Sequence, residues 1–371
     1  MTGRPLPPPP APQAADTPHL IGAHYFPGWK PDAHWGWGKI EPFPERKPLL
    51  GWYEEGDPTV ADWEIKWALE HGIRFFLYCW YRDRERMNRP MTDEGHRLGH
   101  ALHEGLFRAR SGGQMRFAIM WETHNAGVAE GEADLLDNLL PYWIDTYFRR
   151  PNYLVLNGRP LLFVYCFYSL DSLCAPFAGR DNMPRVFDRM RERTACAGFD
   201  GLTVLLEYRG ARAEDLHAIR RLGVDWAFAY CWHTPKQFPA ADEAIRCQLD
   251  SLRAWREAAA LPFLPTASMG WDPMPWRNDN PNTPWLHADK MPRWKLRPAD
   301  WRRLLREVRD FMDELPPDHP GRSMLLDNWN EWGEGHYIAP QATDGFGYLD
   351  AVRDVFCTGP ARHEDQAPPC A

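Results

Sequence analysis

The run IRFFLYCW at residues 73–80 is a continuous apolar stretch that is rich in aromatic and β-branched side chains. Polar and apolar residues do not alternate in it, which is typical of a parallel strand covered on both faces. Seven similar runs lie elsewhere in the chain: HLIGAHYF from His19, MRFAIMW from Met115, PLLFVYCF from Pro160, GLTVLLEY from Gly201, DWAFAYCW from Asp225, FLPTASM from Phe263 and SMLLDNW from Ser323. The sequence therefore predicts eight buried strands.

Amphipathic, helix-like segments separate most of these runs. Eight strand-and-helix repeats without an obvious linker predict an α/β fold, a (β/α)8 TIM-type barrel. The main alternative is a doubly wound open sheet, but its G-x-G-x-x-G phosphate signature is missing. We predict a single catalytic domain at residues 19–358, a Pro-rich flexible tail at 1–18 and a second flexible tail at 359–371.

The charge and composition of the chain limit the classes of partner that we expect it to bind. The chain has 51 acidic and 43 basic residues, a net charge of -8 and no block of Lys and Arg, which argues against nucleic acid. No apolar run approaches the roughly 18 residues that span a bilayer, and the first residues lack a signal-peptide core. Eight scattered cysteines without a C-x-x-C pair are typical of a reducing compartment. We therefore expect a cytoplasmic protein without a membrane partner.

Tryptophan is unusually abundant, with 19 residues in a chain of 371. Flat aromatic faces with polar edges suit sugars, so we expect an oligosaccharide or polysaccharide substrate, although a Trp-rich core is the alternative. Two long Trp-rich loops, at 27–56 and 270–294, follow the first and seventh predicted strands. Because barrel enzymes bind substrate at the carboxyl ends of their strands, these loops are predicted to wall a sugar cleft.

The segment DNWNEWGEGHYIAP at 327–340 directly follows the last apolar run. Glu331 and Glu334 are three residues apart beside Gly333 and Gly335, so a helix or tight turn would aim both carboxyls at one cavity. Two carboxyl groups beside a sugar cleft can cleave a glycosidic bond as acid and base or nucleophile. The alternative is a capped helix start with two exposed acids.

Several segments together resemble one family. They are HYFPGW at 24–29, PNYLVLNGRPLLFVY at 151–165, GWD at 270–272, WNEWGEGHYIAP at 329–340 and GYLDA at 347–351. This set resembles the WbsX-like family, which is related to the endo-α-mannosidases of glycoside hydrolase family 99. The chain departs from many members at residues 121–125, where it has WETHN in place of W-A-N-E-N.

The resemblance implies a (β/α)8 barrel with Glu331 and Glu334 as the catalytic pair. By analogy with family 99, Glu331 deprotonates the substrate 2-hydroxyl, which attacks C1, and Glu334 protonates the leaving group. The resulting anhydrosugar is opened with retention of configuration. WbsX-like proteins are also often described as glycosyltransferases, but this chain has no D-x-D pair to hold a cation on a sugar nucleotide.

Further candidates for binding sugar are side chains at strand ends, in the Trp-rich loops or in the motif itself. They are His24, Tyr25, Trp29, Trp35, Trp37, Trp121, Glu122, His124, Asn125, Glu207, Tyr208, Tyr230, Trp232, Trp271, Asp272, Asn330 and Trp332. Glu122 and Glu207 either accept hydrogen bonds from sugar hydroxyls or pair with a nearby Arg. We expect no cofactor and no metal, because His124 and His233 lack H-x-H or H-E-x-x-H spacing.

Three functions remain open at this point. The first is a glycoside hydrolase that acts on a complex glycan or polysaccharide. The second is a WbsX-type glycosyltransferase in polysaccharide biosynthesis, and the third is a noncatalytic carbohydrate-binding barrel. The sequence specifies neither the sugar nor the linkage.

Overall fold

The computed structural model describes residues 6–31, 34, 36–123, 129–166, 170–234, 236–278, 287, 290–359 and 366–368. Their strands are, in chain order, β1 (Leu20–Tyr25), β2 (Ile73–Arg82), β3 (His96–Arg97), β4 (Arg116–Glu122), β5 (Val155–Leu156), β6 (Arg159–Tyr165), β7 (Thr203–Glu207), β8 (Trp226–Phe228), β9 (Phe263–Leu264), β10 (Thr266–Ser268), β11 (Gly270–Trp271), β12 (Trp294–Lys295), β13 (Ser323–Asp327), β14 (Asn330–Glu331) and β15 (His336–Tyr337).

Helices alternate with the longer strands. They are α1 (Pro58–Glu70), α2 (Glu132–Asp134), α3 (Leu140–Trp143), α4 (Leu170–Cys174), α5 (Met183–Cys196), α6 (Ala213–Arg221), α7 (Ala241–Ala258), α8 (Pro298–Asp313) and α9 (Gly347–Phe356), with π-helical segments at Ala101–Leu106, Leu135–Leu139 and Ile144–Phe148. Among the described residues, no helix has both the length and the apolar character needed to cross a membrane.

Nine parallel strands of the described chain form the barrel, in the order β10-β13-β1-β2-β4-β6-β7-β8-β9. β9 and β10 are two parts of one predicted strand, interrupted at Pro265, which has no N–H to donate to the ladder. β9 pairs with β8 and β10 pairs with β13, so the interrupted strand nearly closes the ring. The predicted (β/α)8 TIM-type fold is confirmed.

The strands are covered on both faces, as their continuous apolar runs predict. β4 is buried at every position after Arg116, and β7 is buried throughout. Trp80 and Trp121 fill the layer between barrel and helices, each with its ring centroid 5.3 Å from that of Trp143. Part of the abundant tryptophan therefore belongs to the core.

Two local features refine the predicted boundaries. Asn157 and Gly158, which the sequence marks as a hairpin turn, have φ values of 50° and 71° and join β5 to β6. Residues 6–18, predicted as part of a flexible tail, lie along α1 in the structure. Trp63 Nε1 donates to the Pro7 carbonyl at 2.8 Å, and the Ala15 N–H donates to the Leu69 carbonyl at 2.9 Å.

A buried ion pair joins β2 to α2. Arg82 donates to both carboxylate oxygens of Asp134, at 2.5 and 3.0 Å, and neither side chain has solvent exposure. Asp134→Ala leaves the guanidinium buried without its partner, so we expect a loss of about 3–5 kcal/mol in the free energy of unfolding. Chemical denaturation measures this loss.

The matched control is Asp145→Ala, which breaks the exposed pair with Arg149 and should cost at most about 1 kcal/mol. Equal, small losses in both variants would contradict the importance of the buried pair.

Candidate active site

The segment predicted to hold the catalytic pair forms a hairpin directly after β13. β14 and β15 pair antiparallel, with Glu331 opposite His336, and Glu334 lies in the connecting turn. The hairpin therefore lies at the carboxyl end of a barrel strand, where barrel enzymes carry their active sites. A tight turn, rather than a helix, brings the two glutamates together.

Two glycines allow this turn to pack against the loop after β11. A Cβ on Gly333 would lie 1.7 Å from the Trp276 ring. Gly335 has φ +71°, and its Cβ would lie 2.7 Å from the Asp272 carbonyl oxygen. Larger residues at these positions would push the turn, and with it Glu334, away from the barrel.

Glu331 is buried at the base of the site. Burial raises the pKa of its carboxyl well above the usual range, and the negative charge of Glu334 raises it further. The Oε1 atom of Glu331 is buried and has no hydrogen-bond partner in the described chain. Buried polar atoms are normally paired, so this acceptor is available to a group that the protein does not supply.

Glu334 is held by a buried histidine. The His336 Nε2 atom lies 3.0 Å from Glu334 Oε2, and the Nδ1 atom contacts Asp327 Oδ1. Burial alone lowers the pKa of His336, but the carboxylates of Asp327 and Glu334 outweigh it and raise the value to about 10. His336 is therefore an imidazolium at neutral pH.

A second cation lies at the carboxyl end of β7. Arg209 follows β7 and donates to Glu207 Oε1 at 2.5 Å and to the Tyr165 hydroxyl at 2.6 Å. It also lies 3.2 Å from His233 Nε2. Burial, together with this guanidinium, lowers the pKa of His233 to about 4. Of the two predicted roles for Glu207, the structure supports pairing with Arg.

The polar ends of β2, β4 and β8 complete the rim. Burial raises the pKa of the Tyr81 hydroxyl, and nearby groups that include Glu122 and Glu331 raise it further, which places both carboxyls close to this tyrosine. The Tyr230 ring packs edge-on against His336 with centroids 5.7 Å apart. The predicted gathering of strand ends therefore includes Glu122, Glu207 and Tyr230.

The segment after β10, which consists of β11 and the loop that follows it, forms one wall of the site. The half-buried Trp271 ring lies 5.0 Å from the His336 ring and 5.8 Å from the His233 ring, measured between centroids. Asp272 donates its N–H to the Glu334 carbonyl at 2.6 Å and pairs with Arg46 at 3.1 Å. Trp271 is thus the predicted platform that lies beside the predicted catalytic pair.

Residues 43–352 match the family described as Glycosyltransferase WbsX. The chain belongs to this family. Two curated relatives, both named Uncharacterized protein WxcX and from two strains of Xanthomonas campestris pv. campestris, are 27% identical over 378 residues. The alignment covers 92% of this chain and 50% of each relative, so the chain spans about half their length.

Two solved structures have a similar fold. The GH99 endo-alpha-mannosidase from Bacteroides thetaiotaomicron aligns with a TM-score of 0.59 and 14% identity, covering 90% of this chain and 95% of that one. A protein described as glycoside hydrolase-like aligns with a TM-score of 0.62 and 16% identity, covering 96% and 98%. The WbsX-family chain therefore shares the barrel fold of these proteins.

Three tryptophans predicted to bind sugar are buried in this WbsX-family chain. The Trp29 and Trp37 rings stack at 4.6 Å, and Trp29 Nε1 donates to the Asn330 carbonyl at 2.7 Å. Trp37 Nε1 donates to the Tyr53 carbonyl, and Trp332 Nε1 donates to the Tyr53 hydroxyl. None of the three has a face open to a ligand, so their predicted role is corrected to packing of the first long loop.

Two further predicted residues face the helices instead of the cleft. The Tyr25 hydroxyl donates to Glu64 of α1 at 2.8 Å. Trp121 is buried against Trp143 of α3. Successive strand residues point to opposite sides, so Trp121 points outward and the next residue, Glu122, points into the barrel.

Tyr208 and Trp232 are corrected for the same reason. The Tyr208 ring stacks on Trp255 of α7 and its hydroxyl donates to Asp215 at 2.6 Å. Trp232 is buried, and its Nε1 donates to the Thr266 carbonyl. Both side chains join the barrel to its outer helices.

His24 and Asn330 are wholly buried beneath the site. One ring nitrogen of His24 lies 3.3 Å from the Ala229 carbonyl, and burial lowers the pKa of this imidazole to about 3. The Asn330 side chain bonds both backbone groups of Phe26. Their predicted role in binding sugar is corrected to support of the site from below.

Other predictions lie outside the described residues, and some site residues were missed. Trp35, His124 and Asn125 belong to the undescribed positions. Asp327, His336 and Arg209 were not predicted as site residues, although the first two lie in the quoted motif. Arg209 follows Glu207 by two residues at a strand end, which is the signal that could have identified it. Among the described residues, no group of three His, Cys, Asp or Glu is arranged to hold a metal ion.

Glu64 is buried beneath the hairpin, where it accepts a hydrogen bond from Trp329, and its titration provides a test of the packing there. Burial raises its pKa from 4.5 to about 8, against the lowering effect of hydrogen bonds from Trp329 and Tyr25. Between these values the folded state keeps a proton that the unfolded state loses, so rising pH destabilises the parent protein. Glu64→Gln stays neutral, and its stability relative to the parent should increase by up to about 1.4 kcal/mol per pH unit.

Urea denaturation from pH 5 to 8 measures this difference. Glu192→Gln on the exposed surface of α5 is the control and should follow the parent at every pH. A constant difference between Glu64→Gln and the parent would contradict a raised pKa at Glu64.

Proposed function

We propose that this WbsX-family chain is a glycoside hydrolase in which Glu331 and Glu334 form the catalytic pair. The supporting observation is the buried Glu331 carboxyl, whose Oε1 atom lacks a partner in the described chain beside a second, partly exposed glutamate. Cleavage of a glycosidic bond requires two such groups, one that accepts a proton and one that donates a proton to the leaving oxygen. The substrate we propose is an oligosaccharide or polysaccharide.

The proposed reaction follows the family analogy. Glu331 takes the proton of the substrate 2-hydroxyl, and that oxygen attacks C1 while Glu334 gives its proton to the departing oxygen. Water then attacks C1 and loses a proton to Glu334, the C1–O2 bond breaks, and Glu331 returns its proton to the 2-oxygen, so the configuration at C1 is retained. A raised pKa at Glu331 makes its carboxylate a stronger base, and this base acts only above that pKa.

The charges around the pair support a hydrolase over a transferase that uses a sugar nucleotide. Among the described residues, the site carboxyls with a direct cationic partner are Glu207, Asp272, Asp327 and Glu334. The cations that pair with them are Arg46, Arg209 and His336. Because these cations already contact carboxylates, they are less available to a diphosphate, whereas a neutral glycan needs no cation.

The test is a panel of defined oligosaccharides with product anomers followed by NMR, together with UDP-, GDP- and dTDP-sugars. Glu331→Gln should lower turnover by about 100-fold to 10000-fold, because a general base is lost. Glu334→Gln should lower turnover of unactivated glycosides similarly. It should retain part of its turnover of aryl glycosides, because their aryloxide leaving group departs without protonation.

Glu257→Gln on the exposed face of α7 is the matched control and should keep parental turnover. Parental turnover in both folded site variants would contradict the assignment and make Glu122 and Glu207 the next pair to test. Glycan binding without turnover by the parent would favour a binding barrel, and turnover only with a sugar nucleotide would favour a transferase.

Trp271 is the proposed sugar platform. Its ring is half-buried beside His336, and one stacking contact contributes on the order of 1 kcal/mol. Trp271→Ala should therefore raise KM about 5-fold while kcat changes less. Trp226→Ala, at the amino-terminal end of β8, is the half-buried control. An unchanged KM in a folded Trp271→Ala variant would exclude this platform.

A further inference from the structure

A line of charged side chains runs from the barrel interior to the hairpin turn. Asp327 is the last residue of β13 and contacts His336, which in turn lies 3.0 Å from Glu334. The side chains of Asp327 and His336 have no solvent exposure, whereas 28% of the Glu334 side chain is exposed. Of the three, only Glu334 can reach a ligand in the cleft, so the other two can act only through it.

We propose that Asp327 and His336 are positioning residues for Glu334, with His336 holding one carboxyl oxygen of Glu334 throughout the reaction. The role in the reaction rests on the proposed function of Glu334, whereas the charged line rests on contacts alone. A carboxylate bound to one imidazole nitrogen fixes the orientation of the ring and therefore the position of the other nitrogen. Asp327 thus sets where Glu334 is held.

The charge of His336 is determined by the groups packed around it. Besides Asp327 and Glu334, the described titratable or charged groups near this imidazole or its carboxylate partners include Glu331, His24, His233, Arg209, Tyr230, Cys231 and Tyr165. Burial lowers the pKa of His24 to about 3 and that of His233 to about 4, so neither imidazole is charged at neutral pH. His336 is the imidazolium among these three histidines.

This imidazolium has a defined effect on proton transfer. When Glu334 gives its proton to the leaving oxygen, the bond from that oxygen to C1 breaks and a carboxylate remains on Glu334. His336 keeps both ring protons and stabilises the new carboxylate through a charge-assisted hydrogen bond. In the second half of the reaction, Glu334 recovers its proton from water. His336 therefore stabilises the carboxylate that Glu334 becomes, without exchanging a proton itself.

The first experiment needs no substrate. Protein labelled with 15N-histidine is titrated by NMR from pH 5 to 10, and the His336 signal is identified by its loss in His336→Gln. We expect this imidazole to stay doubly protonated past pH 8. It should deprotonate at lower pH in Glu334→Gln and also in Asp327→Asn, because each variant removes one neighbouring carboxylate. Identical titration in the parent and both variants would overturn the proposal, whatever the activity of the protein.

The second experiment uses the glycan that the oligosaccharide panel identifies. His336→Gln should lower kcat by about 10- to 100-fold with little change in KM, since a charged hydrogen bond to the acid is lost. The alkaline limb of its pH–kcat profile should move to higher pH, because the acid loses a neighbouring positive charge. A merely structural role would lower the active fraction without moving this limb, and that result would overturn the proposal.

His217→Gln, on the exposed face of α6, is the matched control and should leave the profile unchanged. If His336→Gln does not fold, Asp327→Asn provides the same kinetic test. If no glycan is turned over by the parent, the proposed function fails, while the NMR titration still decides whether Asp327, His336 and Glu334 form one charged unit.

Discussion

The Asn330 side chain ties the β14–β15 hairpin to Phe26, which directly follows the first barrel strand. Its Oδ1 accepts from the Phe26 N–H at 2.8 Å, and its Nδ2 donates to the Phe26 carbonyl at 3.0 Å and to Glu55 at 2.9 Å. Trp29 Nε1 completes the junction by donating to the Asn330 carbonyl. Because these groups are buried and mutually satisfied, the hairpin has little freedom to shift, and the position of the adjacent Glu331 is fixed.

A second constraint is the compensation of buried charge. Isolated carboxylates are costly in a barrel interior, so each must find a cation, a hydrogen-bond donor or a proton. Asp327 and Glu334 share His336, and Glu207 pairs with Arg209. Among the described residues, no cation directly contacts Glu331, and burial together with the charge of Glu334 raises its pKa. The carboxyls of the site therefore lie in different electrostatic environments.

The sequence predicts the barrel because the information for parallel strands is local. Each apolar run is read directly, although the run from Phe263 is interrupted at Pro265 and only Trp226–Phe228 of the run from Asp225 is strand. The roles of the tryptophans were harder to predict, because residue type alone does not distinguish Trp29, which is buried beneath the hairpin, from Trp271, which faces the site. Whether a loop is buried depends on contacts between residues that are far apart in the sequence, such as Asn330 and Phe26. His336 was missed as a site residue because its role appears only when the hairpin places it between two carboxylates.

The family description names a glycosyltransferase, whereas the function proposed above is that of a hydrolase, and the two reactions differ in the leaving group at C1 of a sugar. A nucleoside diphosphate departs as an anion, so it needs nearby cations more than a proton donor. An alcohol departs from a glycan only if a proton reaches its oxygen. Here the cations Arg209 and His336 are already paired with carboxylates, so they are less available to a departing diphosphate. This pairing supports the proposed glycoside leaving group over a nucleotide.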